Sequence, residues 1–354
     1  MHDILLAGVE EGASDWHIRE RRPIGIRVNG QLGEIDFIAD SEFMRGAVEQ
    51  IVSARLLTRF EEVGDADFAF EEDGVGRFRA NLHKERGYLA LSLRFVKGRV
   101  PSREELVLPE MVHQLAREAR GIIFVTGITG AGKSTTLASM VEHMNVTMTR
   151  HIITIEDPIE YAFADGNCVI EQREVGLDTI SFESALVHVL RQDPDVIVVG
   201  EMRDKTTFET ALAAAETGHL VVTTLHTVNA SQSIYRVLDM YGANERDAMR
   251  KSLAANLRAV ICQRLVPRIE GQGMIPAVEI LINTPVVAKL IYENRLDKLA
   301  QAIEAGGEDG MLSFNRCLLR LVDDGVITEE TALASSDNPQ SLEMNLKGIF
   351  LSTD

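Results

Sequence analysis

The chain has 354 residues, 45% hydrophobic and 25% charged, and its 36 Lys and Arg against 54 Asp and Glu give a formal net charge of −18. This composition excludes a disordered or membrane-embedded chain, is too long for one ordinary core, and disfavours nonspecific binding to nucleic acid or anionic lipid while leaving room for a local basic groove. Cys168, Cys262 and Cys317 are too few and too far apart for a disulfide framework or a paired-cysteine metal site.

No run approaches 18 consecutive apolar residues, and the opening MHDILLAGVEEGASD is acidic where a secretory signal is basic. No transmembrane segment is expected, and the predicted location is the cytoplasm. Residues 1–97 read as a small α+β domain, with short strands at Ile24 to Val28, Arg77 to Leu82 and Leu89 to Phe95 and a helical stretch from Glu42 to Phe60. KGRVPSREELVLPE, Lys97 to Glu110, carries two prolines and mixed charge and reads as a linker, 98–110, into a second domain at 111–354. There, apolar β-branched runs at Ile122 to Thr126, Ile152 to Ile155, Val196 to Val199 and Leu220 to Leu225 alternate with helical segments. That pattern predicts an α/β fold with a mostly parallel sheet buried on both faces. After Asn229 the pattern reads as mainly helical.

Between the first of these strands and a helix lies GITGAGKST. The spacing of Gly127, Gly132, Lys133 and Ser134 satisfies the P-loop motif. Glycines let backbone N–H groups approach phosphate oxygens, and the helix N-terminus adds positive partial charge. Thr129, Gly130, Ala131 and Thr135 complete the phosphate-binding run. Lys133 is expected to reach the β- and γ-phosphates of ATP, and the Ser134 hydroxyl to ligate magnesium. The alternative, a glycine-rich turn that only packs a helix on a sheet, is disfavoured by the strand-to-helix context.

Further clusters fall at strand ends, where an open α/β sheet places its ligands. ITIEDPIEY offers Glu156, Asp157 and Glu160, of which the first two could simply cap the turn before Pro158. VIVVGEMRD ends its strand with Glu201, followed by Arg203 and Asp204, and TGHLVVTTLH brackets a strand with His219 and His226. A structural role for His219 stays open. Two histidines without further ligands do not argue for zinc. ATP hydrolysis needs a placed magnesium ion, a carboxylate to orient or deprotonate water, and cations to offset transition-state charge.

These four motifs, in this order, resemble the type II/type IV secretion ATPases, and within them the PilT-like retraction ATPases of type IV pili. GASDWHIRE, IRVNG and GRFRANLHKERG resemble that family's N-terminal domain, so the similarity runs from about residue 4 to the C-terminus. The resemblance implies a PAS-like N-terminal domain, a RecA-like ATPase domain and a homohexameric ring. The ring would use ATP and magnesium to drive pilus retraction and twitching motility, docked at the inner face of the membrane on a pilus platform protein. A paralogous pilus ATPase is a further implied partner. By the same resemblance Glu160 activates the attacking water, Glu201 is the magnesium-organising carboxylate of the Walker B strand, with Gly200 where an aspartate is more usual, and His219 and His226 form the histidine box. Arg77, Arg79 and Arg94 lie in the segment that lends arginines to the nucleotide. After Thr284 and Pro285, the sequence VVAKLIYEN puts Ala288 and Tyr292 where the retraction ATPases carry arginines. The short N-terminal region and the missing four-cysteine insertion favour the retraction branch, including its PilU-like accessory relatives, over assembly or secretion ATPases. A DNA-translocating ring and a weakly hydrolysing scaffold are the readings from other classes. The acidic balance opposes the first and the clustered carboxylates oppose the second.

Overall fold

The computed structural model describes residues 1–28, 30–96, 98–269 and 273–349; Asn29 of the IRVNG run and Lys97 at the head of the expected linker lie outside them. The chain forms two compact units, Met1–Arg99 with Ile159–Phe163, and Val100–Pro158 with Ala164–Asp354.

The first unit is built on an antiparallel sheet of β1 (Ala13–Arg19), β2 (Pro23–Val28), β3 (Gln31–Ile38), β4 (Asp65–Glu72), β5 (Gly76–Glu85) and β6 (Tyr88–Phe95). Their spatial order is β3-β2-β1-β6-β5-β4. Trp16 and Phe78 are fully buried and meet edge to face with ring centroids 5.5 Å apart, the arrangement that the quadrupoles of two rings favour. The helix His2–Glu10 reaches this core because Gly8 has no side chain: a Cβ there would stand 2.6 Å from the Trp16 ring. The single helical stretch expected from Glu42 to Phe60 is two helices, Ser41–Ile51 and Ala54–Val63. Ser53 breaks the run by capping the second helix, its hydroxyl accepting from Leu56 N.

In the second unit, β7 (Gly121–Thr126), β8 (His151–Glu156), β9 (Val169–Glu174), β10 (Val196–Val199), β11 (Leu220–Leu225), β12 (Leu257–Pro267) and β13 (Met274–Ile282) form one sheet in the order β13-β12-β7-β11-β10-β8-β9. All pairings are parallel except β12 with β13. Every residue of β7, β10 and β11 is buried, as expected for strands covered by helices on both faces. After Asn229 the chain is mainly helical, as expected, but the helices are interrupted by β12 and β13. Their long apolar runs extend the same sheet beyond β7, and helices resume at Pro285–Tyr292. Val100 to Glu110, read as linker, contains a short helix, Arg103–Leu106, closed by a Ser102 and Glu105 capping box, and leads into the helix Glu110–Leu115.

Candidate active site

The loop after β7 turns through Gly127, Gly130 and Gly132 at φ of 155°, 79° and 83° before the helix Lys133–Thr147 begins. Close approach dictates Gly127 and adds to the positive φ that favours glycine at Gly132. A Cβ on Gly127 would fall 2.5 Å from the Gln263 carbonyl oxygen, and one on Gly132 would fall 3.2 Å from Gln263 Nε2. Gly130 faces open space instead, with Ile128 and Thr129 exposed beside it. Ala131 is buried, and Ser134 and Thr135 are half-buried in the first helical turn. Lys133 is only 9% exposed, and its Nζ donates to the carbonyl oxygens of Gly127 at 2.9 Å and Ile128 at 3.1 Å. The loop is therefore a cradle of backbone N–H groups with an ammonium group folded against its own rim.

Gln263 holds this cradle from the neighbouring strand. Its Nε2 donates to the Ala131 carbonyl at 2.5 Å, and it sits on β12 one residue past the Cys262 and Thr126 pairing that aligns β12 with β7. Sequence reading missed it; the signal was a polar residue inside the apolar run VICQRLV. On the far side of β7, Thr126, Ser233 and Thr227 form a buried hydroxyl chain, with Oγ1 of Thr227 2.6 Å from Ser233 Oγ and Ser233 Oγ 3.5 Å from Thr126 Oγ1.

Glu201 follows the C-terminal end of β10, one strand removed from β7. Gly200 leaves little room beside it, because a Cβ there would stand 3.2 Å from the Ile155 carbonyl oxygen. Arg203 pairs with Glu201 Oε1, and His226 Nε2 lies 3.1 Å from Oε2. Burial pushes the Glu201 carboxyl up, but the hydrogen bond from Arg203 and then that from His226 outweigh it, so the group stays ionised below the ordinary carboxylate range. Glu156 is tied into the sheet, accepting from Thr154 Oγ1 at 2.7 Å and from Gln172 Nε2 at 3.0 Å.

The two histidines are not brought together. His226 follows the C-terminal end of β11, level with the end of β7, whereas His219 precedes its N-terminal end and its carbonyl accepts from Gly121 N. Six residues of strand, about 20 Å, separate them. The His219 ring lies 2.9 Å from the Ala214 carbonyl and 3.3 Å from Thr217 Oγ1, at the end of the helix Lys205–Glu216.

The remaining residues of interest belong to the first unit. Arg77 and Arg79 lie on β5 and Arg94 on β6, with Arg79 and Arg94 register partners. Arg94 Nε donates to buried Asp15 at 2.7 Å. Burial raises the Asp15 carboxyl, but hydrogen bonds from Ser14 and Arg94 bring it below its usual value. Glu160 is exposed between buried Ile159 and Tyr161 in the segment that groups with this unit.

A glycine loop between a buried parallel strand and a helix, with a buried lysine and an acidic strand end near by in the sheet order, defines a P-loop ATPase. Residues 104–301 match the family described as Type II/IV secretion system protein. The type IV pilus ATPase PilU of Pseudomonas aeruginosa is 40% identical, over 97% of this chain and 90% of its own length. The type IV pilus retraction ATPase PilT of the same organism is also 40% identical, over 96% of this chain and 98% of its own length. A crystal structure of the pilus retraction motor PilT with bound ADP superposes with a TM-score of 0.88 at 42% identity, covering 97% of this chain and 98% of that one. The chain belongs to the type II/IV secretion ATPase family, with an antiparallel-sheet N-terminal domain and a parallel-rich ATPase domain. Among the described residues, no helix is long and apolar enough to cross a membrane.

Proposed function

We propose that the chain is the subunit of a homohexameric motor that hydrolyses ATP to retract a type IV pilus, acting on an inner-membrane platform protein from the cytoplasmic side. The observation that carries this reading is full-length similarity to retraction motors combined with an intact P-loop cradle around Lys133.

In this mechanism the backbone N–H groups of residues 127–135 bind the phosphates, and Lys133 exchanges its bonds to the Gly127 and Ile128 carbonyls for β- and γ-phosphate oxygens. The donor set of a hydroxyl, Ser134, and an ionised carboxylate, Glu201, fits a hard cation such as magnesium, which takes few protein ligands and completes its shell with phosphate and water. When bound, magnesium supplies charge neutralisation at the phosphates. Glu160 orients a water molecule and takes its proton as the water oxygen attacks the γ-phosphorus and the bond to the β-phosphate oxygen breaks. Arg77, Arg79 and Arg94 supply the arginine that offsets transition-state charge, and Arg203 and His226 relay the state of the γ-phosphate, His226 through Glu201; His219, at the opposite end of β11, takes no part in that relay.

An accessory role beside a second pilus ATPase is the second reading, favoured by equal identity to PilU and by Ala288 and Tyr292 in the helix Pro285–Tyr292. Scoring surface pili and motility in a deletion strain separates the readings. A retraction motor leaves piliated, non-motile cells, an accessory motor leaves retraction weakened under load, and an assembly motor leaves bald cells. Turnover that rises steeply with DNA would instead support a translocase.

A further inference from the structure

The first unit carries a basic cavity that the reaction above does not use. About 260 Å³ in volume, it is lined at the turn between β1 and β2 by Arg19, Arg21 and Arg22, and at the turn between β5 and β6 by Arg86 and Tyr88. Four guanidinium groups stand here in a chain whose formal charge is −18. Glu20, which also lines the cavity, and Glu85 leave two of the four positive charges without a matching carboxylate. Glu20 is engaged elsewhere, accepting from Ser41 Oγ and from Leu89 N, and reaches Arg21 only at 3.9 Å. Glu85 lines the cavity as well. Among the described residues, Arg19, Arg22 and Arg86 have no ion pair, and Arg19 Nε is buried without a hydrogen-bond partner.

The backbone adds a second, independent observation. Arg21 and Arg86 both lie in the left-handed region, at φ of 63° and 53°. Glycine or asparagine would take that conformation with less strain, and a non-glycine residue held there points to a use for its side chain. The Arg21 side chain is already placed: its guanidinium carbon lies 4.8 Å from the Tyr88 ring centroid and its Nη1 donates to Tyr88 Oη at 3.1 Å.

We propose that this cavity binds the phosphoryl group of a phosphate ester through Arg19, Arg21, Arg22 and Arg86. The planar guanidinium fork matches phosphate oxygens two at a time, which a lysine cluster would not do. Pockets that enclose a whole small-molecule ligand run to about 300–1,000 Å³, so this one takes a phosphate headgroup and leaves the rest of the ester outside, across the exposed Tyr88. Two sources carry that chemistry, a soluble phosphate monoester and the headgroup of an anionic phospholipid.

The test uses the full chain carrying Lys133→Ala to silence the P-loop. Glycerol 3-phosphate is titrated by calorimetry, and flotation is measured with phosphatidylcholine vesicles with and without phosphatidic acid. Binding that weakens about tenfold or more in an added Arg21→Gln/Arg86→Gln pair is the expected result, since each lost charge-assisted contact is of that order. Binding of glycerol 3-phosphate alone assigns a soluble ester; flotation dependent on phosphatidic acid assigns a lipid headgroup. Without Lys133→Ala, the Arg21→Gln/Arg86→Gln pair should turn over ATP at the parent rate. Arg86→Asn, which tolerates the left-handed turn, should keep or raise Tm while losing affinity. Failure of both probes to bind, equal binding by the double variant, or an Arg86→Asn protein with lower Tm and unchanged affinity would overturn the proposal.

Discussion

His226 Nε2 and Glu201 Oε2, 3.1 Å apart, join the C-terminal ends of the neighbouring parallel strands β11 and β10. With Arg203 on the other oxygen, the carboxylate is held between two donors. If ionised Glu201 is needed for turnover, kcat falls on the acid side as this group protonates. Arg203→Gln removes the larger of the two hydrogen bonds that keep its pKa low and should move that acid limb to higher pH. His226→Ala should move it in the same direction by less. Superimposable pH profiles for the three proteins would separate Glu201 from the acid limb.

Lys133 and Glu160 should fail differently. Lys133→Ala removes a phosphate-neutralising charge and should weaken nucleotide binding as well as turnover. Glu160→Gln should retain ATP yet slow hydrolysis by roughly 10²–10³-fold, the usual scale for loss of one electrostatic group in a site. Equilibrium binding of a fluorescent nucleotide beside steady-state turnover distinguishes them. A Glu160→Gln protein as fast as its parent would remove Glu160 from the chemistry.

Gln263→Leu leaves the buried Ala131 carbonyl without its donor from β12. Stability without nucleotide should fall by about 1–3 kcal/mol in urea unfolding, the range for an unsatisfied buried polar group. KM for ATP should rise more than kcat falls, because the lost contact shapes the cradle and touches no reacting atom. An unchanged KM would show that the loop keeps its form without this bond.

His113 stacks on His143 with ring centroids 4.5 Å apart and places Nε2 2.9 Å from Ser139 Oγ. Burial, then the neighbouring His143, lowers the His113 pKa from its usual value near 6.5 to about 4. Between those values the unfolded chain binds a proton that the folded one refuses, so this contribution to stability is intact above pH 6.5 and is lost as pH falls towards 4. His113→Gln should flatten the decline of Tm across that window. A decline equal to that of the parent would place the acid sensitivity in other groups.

Much of the active site was legible because its signals are local. GITGAGKST specifies a turn, a cradle and a helix start within nine residues, and the structure gives each in place. What was not legible depends on contacts distant in sequence. Gln263 meets Ala131 only because β12 pairs with β7, and in LRAVICQRLVP the polar Arg258, Gln263 and Arg264 follow neither a twofold nor a helical period, which leaves strand and helix indistinguishable. In ASDWHIR, buried Asp15 interrupts the alternation that would have marked β1, and it is tolerated there because Arg94 on β6 meets it. The strand that His219 and His226 bracket in the sequence is in place, and its length of about 20 Å is what parts the two members of the histidine box.

The sheet of the ATPase unit ends on one side at β9, VIEQRE, which among the described residues pairs only with β8. Along its other edge Ile170 N and Glu174 N already donate to Asp165 Oδ1 at 3.0 Å and Asp178 Oδ2 at 2.8 Å, which leaves fewer backbone groups for another extended chain to pair with. Exposed Glu171 places charge along that edge, so a stray strand would have to strip water from it in order to pair. Val169 and Ile180 are exposed close by, at 55% and 86%. An apolar substitution at Glu171 would leave every core contact in place and still turn this edge into a seed for aggregation, making its charge a safeguard of solubility.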